Sequence, residues 1–119
     1  MLGAAHACAN PLTSRYGITH GTAVLLMLPH VIRFNEQVAG PFYRELLAAA
    51  PAGHSCDSLD GLIERMRDHG GLPRRLRDAG VELAELPVLA ADAEQQWTVR
   101  FNPRAAGRRD LQEMYESAY

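Results

Sequence analysis

Lysine is absent from this 119-residue chain, whose 12 basic residues are all arginine and stand against 14 acidic ones. The formal net charge of −2 leaves no broad cationic surface to follow a phosphate backbone, which argues against nucleic acid as a partner. Cysteine is nearly absent as well. Cys8 and Cys56 are the only two and neither lies in a Cys-x-x-Cys pattern, so the sequence does not read as a disulfide-stapled secreted domain. Long apolar runs are also missing: Ala23 to Pro29 is far short of the roughly 20 residues that a membrane span needs. No basic residue precedes the apolar start, so the expectation is a reduced, cytoplasmic protein without a secretory leader and without a membrane partner. β-branched residues are sparse beside Ala and Leu, which favours helix over strand. The expected fold class is all-α, in a single domain over 1–119.

The apolar spacing predicts a bundle of modest helices. Leu2 to Ser14 is Ala-rich and reads as helical up to Pro11 or one turn beyond, with Arg15, Tyr16 and Gly17 as connector. The Thr19 hydroxyl can cap a second helix, Thr22 to about Asn35, with His20 in its first turn. Ala23 to Leu28 is apolar at every position, which marks that helix as the buried central element, and Pro29 predicts a kink in it. Pro41 suits the first turn of a separate short helix, Phe42 to Ala50. Ser58 or Asp57 can cap a helix from Leu59 to about His69, which Gly70-Gly71 stops. A short helix, Arg74 to Ala79, ends at Gly80, and Leu83, Leu86, Leu89 and Ala90 mark another that runs to about Gln95. Trp97 to Arg104 reads as extended, with Trp97 and Phe101 as core anchors, before a last helix from about Arg108 to Ala118.

Chemistry centres on the histidines His6, His20, His30, His54 and His69. His6 and His20 fall on consecutive helices that a short connector can fold into an antiparallel pair, so their imidazoles can converge. Imidazole suits divalent first-row metals, and an ion with an open position can polarise an alcohol or carbonyl oxygen. The 14-residue separation matches no compact metal motif, so by residue type alone the pair reads equally as capping or core histidines. His30, after Pro29, reads as a packed histidine bonded to a carbonyl that the proline frees. His54 beside Gly53 and His69 before Gly70 read as loop and helix-end residues. The Arg74, Arg75 and Arg77 cluster alternates with Glu64, Asp68 and Asp78 and reads as a solvated face.

Gly3-Ala4-Ala5-His6-Ala7, Asn10-Pro11-Leu12, His20-Gly21 and Leu28-Pro29-His30-Val31, in that order and spacing, resemble the signature of the iron-dependent alcohol dehydrogenases. Phe34-Asn35, Gly71-Leu72-Pro73, Gly80-Val81, Asn102-Pro103-Arg104, Leu111, Tyr115 and Ala118-Tyr119 extend the resemblance over nearly the whole chain. It implies a helical bundle like the C-terminal part of the dehydroquinate synthase-like fold. It also implies NAD(P)-linked hydride transfer to or from an alcohol or aldehyde, on a metal held by one aspartate and three histidines. His6 and His20 match the last two of those ligands, for Fe2+ or Zn2+. The other two ligands and the nucleotide-binding half fall upstream of Met1, and no Gly-x-Gly-x-x-Gly occurs here.

One departure stands at Asn10, where many members carry a further histidine near substrate and nicotinamide. An amide hydrogen-bonds but cannot relay a proton near neutral pH, and the alternative at Asn10 is a local bond to the backbone before Pro11. The expected partners are the nucleotide-binding half, in the same polypeptide or as a separate subunit, and a second copy in a homo-oligomer. The chain alone is expected to be inactive. The competing reading is a non-catalytic helical module, kept for assembly or weak metal binding.

Overall fold

The computed structural model describes residues 3–50 and 55–119. The described residues form five α-helices: α1 (Ala4–Tyr16), α2 (His20–Ala49), α3 (Leu59–His69), α4 (Leu86–Glu94) and α5 (Arg108–Ala118). Three 3-10 segments, Leu76–Ala79, Leu83–Glu85 and Trp97–Phe101, connect them, and no strand occurs among the described residues. The expected all-α class is therefore observed. His54 lies outside the described residues.

The core forms where α1 lies between α2 and α4 and where α5 crosses α2 and α4. Ala4, Ala5, Cys8, Ala9 and Leu12 of α1 meet Ala23, Leu26, Met27 and Val31 of α2, Leu86, Leu89, Ala90 and Ala93 of α4, and Leu111, Met114, Tyr115 and Ala118 of α5. The small side chains of α1 let neighbouring backbones approach closely. Tyr115 closes the core, being fully buried with its hydroxyl donating to the Cys8 carbonyl at 2.7 Å.

Two helices begin and end as their sequence spacing predicts: α3, capped by the Ser58 hydroxyl that accepts from the Gly61 N–H at 3.3 Å, and α5. Elsewhere packing overrides the punctuation. α1 runs through Pro11 to Tyr16, because Pro11 and Leu12 are buried and the helix gains contacts by continuing. α2 is one helix of 30 residues and not two, with Pro29 and Pro41 both inside it. Pro41 and Gln37 are exposed, so water can satisfy the Gln37 carbonyl that Pro41 leaves without its helical donor. The expected helix at 74–79 is a 3-10 turn over Leu76–Ala79, and the one expected from Leu83 starts as a 3-10 turn before α4. At position 19 the Thr19 hydroxyl pairs with the Thr22 hydroxyl at 2.9 Å and makes no cap bond to the backbone.

Of the stretch expected to be extended, Trp97 to Arg104, the part Trp97–Phe101 is 3-10 helical and Asn102 is extended, and the aromatics are not core anchors. Trp97 is 62% and Phe101 56% exposed, the two rings meeting edge-on with centroids 5.8 Å apart. Beyond the core, α2 also leaves Val38, Phe42 and Leu46 exposed at four-residue spacing, an apolar row on one side of the helix.

Asn35, expected to open a polar exit, is instead buried inside α2. It pairs reciprocally with Asn102: Asn102 Nδ2 donates to Asn35 Oδ1 at 2.7 Å and Asn35 Nδ2 donates to Asn102 Oδ1 at 3.1 Å. Asn102 also donates to the Arg104 carbonyl at 2.6 Å and accepts from the Ala4 N–H at 3.3 Å. Arg104 completes the clamp, donating to the Phe34 carbonyl at 2.8 Å with its guanidinium 3.9 Å from the Phe34 ring centre. Asn102→Ala should cost about 2–3 kcal/mol, because it leaves several partly buried polar groups unpaired at once. Urea unfolding checks this, and a loss under about 0.5 kcal/mol, the scale of an ordinary surface substitution, would contradict it.

Candidate metal half-site

The start of α1 fixes the first histidine. Gly3 holds φ at 109°, a conformation that an L side chain rarely adopts, and its N–H donates to the Thr98 carbonyl at 2.9 Å. His6 follows within the first turn. At the other end of α1, Gly17 takes a left-handed φ of 66° and closes the helix with an N–H bond to the Thr13 carbonyl at 3.1 Å. Ile18 and Thr19 then lead into α2, which opens on His20, whose ring lies beside that of His6.

The His6 and His20 ring centroids lie 5.2 Å apart at 41°. Two imidazoles that share one ion at nitrogen distances of about 2.0–2.1 Å and a tetrahedral angle hold their ring centres roughly 5 Å apart. His6 Nε2 is buried without a hydrogen-bond partner among the described residues. Such a group costs free energy unless something satisfies it, and a lone-pair nitrogen beside a second imidazole fits a metal ion. Burial, and next the neighbouring His20, hold the His6 pKa below its ordinary value, which favours the neutral form that ligates. The donor set is incomplete: no group of three or more His, Cys, Asp or Glu gathers among the described residues.

Asn10 lies one turn beyond His6 on the same face of α1. Its partner is a side chain distant in sequence: Asn10 Nδ2 donates to Gln96 Oε1 at 2.9 Å, and no local backbone bond forms. Sequence reasoning did not single out Gln96, since nothing in Gln95-Gln96-Trp97 distinguishes it from an ordinary helix exit.

His30 and His69 belong to other parts of the fold, on α2 ten residues beyond His20 and at the end of α3. His69 is exposed at the end of α3, as expected. His30 is half-buried on α2, but no described residue hydrogen-bonds its ring, so the expected carbonyl bond is not formed. Burial pushes its pKa down to about 4, with Arg33 and Arg67 adding to the shift and Glu64 and Asp60 opposing it. A lowered histidine pKa means that the unfolded chain takes up the proton first, so stability is present above about pH 6.5 and lost as pH falls toward 4. After allowance for solvent around a partly exposed ring, we expect about 1–2 kcal/mol less stability at pH 5 than at pH 7. His30→Leu should flatten that slope in urea unfolding at the two pH values; an equal slope in both proteins would contradict the assignment.

Comparison with known proteins gives a consistent result. Residues 1–119 match the family model described as the Fe-containing alcohol dehydrogenase family, C-terminal. The chain is 33% identical over 126 residues to lactaldehyde reductase of Escherichia coli (strain K12), covering 99% of this chain and 33% of that protein. Among solved structures, a 1,3-propanediol oxidoreductase superposes with a TM-score of 0.82 at 29% identity, over 98% of this chain and 32% of that one. A sulfoacetaldehyde reductase from Bifidobacterium kashiwanohense, solved in complex with NAD+, shares the fold at a TM-score of 0.74 and 23% identity, over 98% and 30% of the two chains. The chain thus spans about a third of the length of the relatives it matches.

Proposed function

The chain belongs to the Fe-containing alcohol dehydrogenase family, as its C-terminal domain, and we propose that it contributes His6 and His20 to the metal of an NAD(P)-linked alcohol or aldehyde oxidoreductase. The observation that carries this reading is the buried His6 Nε2, without a hydrogen-bond partner among the described residues and beside the His20 ring. Family membership supplies the chemistry: a divalent ion, Fe2+ or Zn2+, when bound would polarise the substrate oxygen and stabilise alkoxide.

The chain's own residues have narrower tasks. His6, anchored by the Gly3 turn and held neutral by burial, presents a lone pair; His20, at the head of α2, presents the second imidazole. Asn10 hydrogen-bonds and does not relay protons, so any proton released from an alcohol leaves by water or through groups elsewhere. Two imidazoles do not complete a metal site, and NAD(P) needs a nucleotide-binding half. Both requirements assign the remaining ligands and the cofactor to that half, joined or separate. The exposed row of Val38, Phe42 and Leu46 supports a covering partner for this domain.

The test is NAD(P)-linked alcohol oxidation by this chain alone and after mixing with a nucleotide-binding polypeptide of the same family. The expected result is no turnover alone and turnover after mixing. Turnover by the chain alone would overturn the division of labour, and none in either case, with metal present, would favour a non-catalytic module.

A further inference from the structure

We propose that Gln96 is a positioning residue of this site: its side-chain carbonyl holds the Asn10 amide so that Asn10 Oδ1 stays free to accept a hydrogen bond from an alcohol hydroxyl. The inference deepens the reading of His6 and His20 as a metal half-site and rests on it for the identity of the substrate.

An unrestrained asparagine is ambiguous towards a hydroxyl. Its amide can present either a donor or an acceptor after a half-turn of the terminal torsion, so it imposes no direction on a hydroxyl. In this chain one end is taken, since Asn10 Nδ2 donates to Gln96 Oε1 at 2.9 Å across 86 residues of sequence. No described residue donates to Asn10 Oδ1.

Gln96 is itself held against α1 from both sides. Two residues after it the Thr98 carbonyl accepts the Gly3 N–H at 2.9 Å; four residues before it Asp92 Oδ2 accepts from Arg15 Nε at 2.6 Å. The Gln96 N–H is fixed on the Ala93 carbonyl at 3.1 Å. The segment 92–98 therefore runs along α1 with anchors beyond each end of the His6 to Asn10 turn, and the Asn10–Gln96 bond lies between them. An acceptor locked one turn from His6 suits a hydroxyl whose oxygen approaches the two imidazoles. It disfavours a bare carbonyl, which brings no donor.

Amide exchange in the 15N-labelled 119-residue chain tests the positioning directly. The Asn10 Nδ2 proton that faces Gln96 should be protected in the parent and in Gln96→Glu, which keeps an acceptor, and should exchange roughly fivefold to tenfold faster in Gln96→Leu, the net effect of one hydrogen bond. Backbone exchange in α1 should stay unchanged. Equal Asn10 exchange in the parent and Gln96→Leu would overturn the proposal, as would a parallel rise along the α1 backbone, which would make Gln96 a packing residue only. In an assembly that oxidises an alcohol, Gln96→Leu should raise KM by about fivefold with little change in kcat, and Gln96→Glu should restore it; an unaltered KM would also overturn it. Failure of metal binding at His6 and His20 would instead refute the metal reading and leave the Asn10 exchange result standing.

Discussion

Tyr115→Ala is expected to destabilise the domain by about 3–5 kcal/mol, a large part of the margin of a protein this size. The ring is fully buried where α5 meets α1, in one core cluster with the fully buried Leu12, Leu89 and Leu111, and its removal leaves a cavity there. Tyr115→Phe separates the hydrogen bond from the packing. It should cost only about 1 kcal/mol, because the Cys8 carbonyl lies inside α1, where it keeps its helical donor after the hydroxyl is lost. Chemical unfolding of both variants checks the order, and Phe as damaging as Ala would show that the hydroxyl and not the ring dominates.

The second large effect falls on chemistry. In an assembly that oxidises an alcohol, His6→Ala or His20→Ala should lower turnover at least about a thousandfold, since on the proposed reading each would remove one ligand outright and a metal-polarised oxygen is worth several kcal/mol. Asn10→Ala should be far milder, at about tenfold or less, because it removes a hydrogen bond and not a proton carrier. Steady-state rates on the three variants check that ranking, and an Asn10→Ala loss equal to that of His6→Ala would contradict it.

Local signals in the sequence were sufficient where local physics decides. Ser58 and Gly70-Gly71 bracket α3, which could be placed from its cap and its stop, and α5 lies where it was expected, from Arg108 to Ala118. They failed where distant packing decides. Asn35 and Pro41 read as breaks because a polar residue and a proline ordinarily end an apolar helix. The partner that makes Asn35 a buried residue, Asn102, lies 67 positions away. Trp97 and Phe101 read as core because large aromatics usually are, whereas in the 3-10 segment both are exposed and Thr98 is the residue that is buried.

The site shows the same division. His6 and His20 could be named only through the resemblance of Gly3-Ala4-Ala5-His6-Ala7 and His20-Gly21 to the family signature, because their 14-residue separation matches no compact metal motif. Their convergence depends on the left-handed Gly17 turn, and the Asn10–Gln96 bond depends on how α4 returns along α1. Neither arrangement has a one-dimensional signature. Phe34-Asn35 and Asn102-Pro103-Arg104 were singled out as separate motifs, and the fold explains both together as two halves of one clamp.

Titration of Co2+ or Zn2+ into the 119-residue chain, followed by absorption or competition, shows whether His6 and His20 together hold a divalent metal. One ion should bind weakly, with an affinity that drops at least about tenfold in His6→Ala and equally in His20→Ala, and stays unchanged in His69→Ala. Affinity unaltered by either of the first two substitutions would contradict binding by the pair.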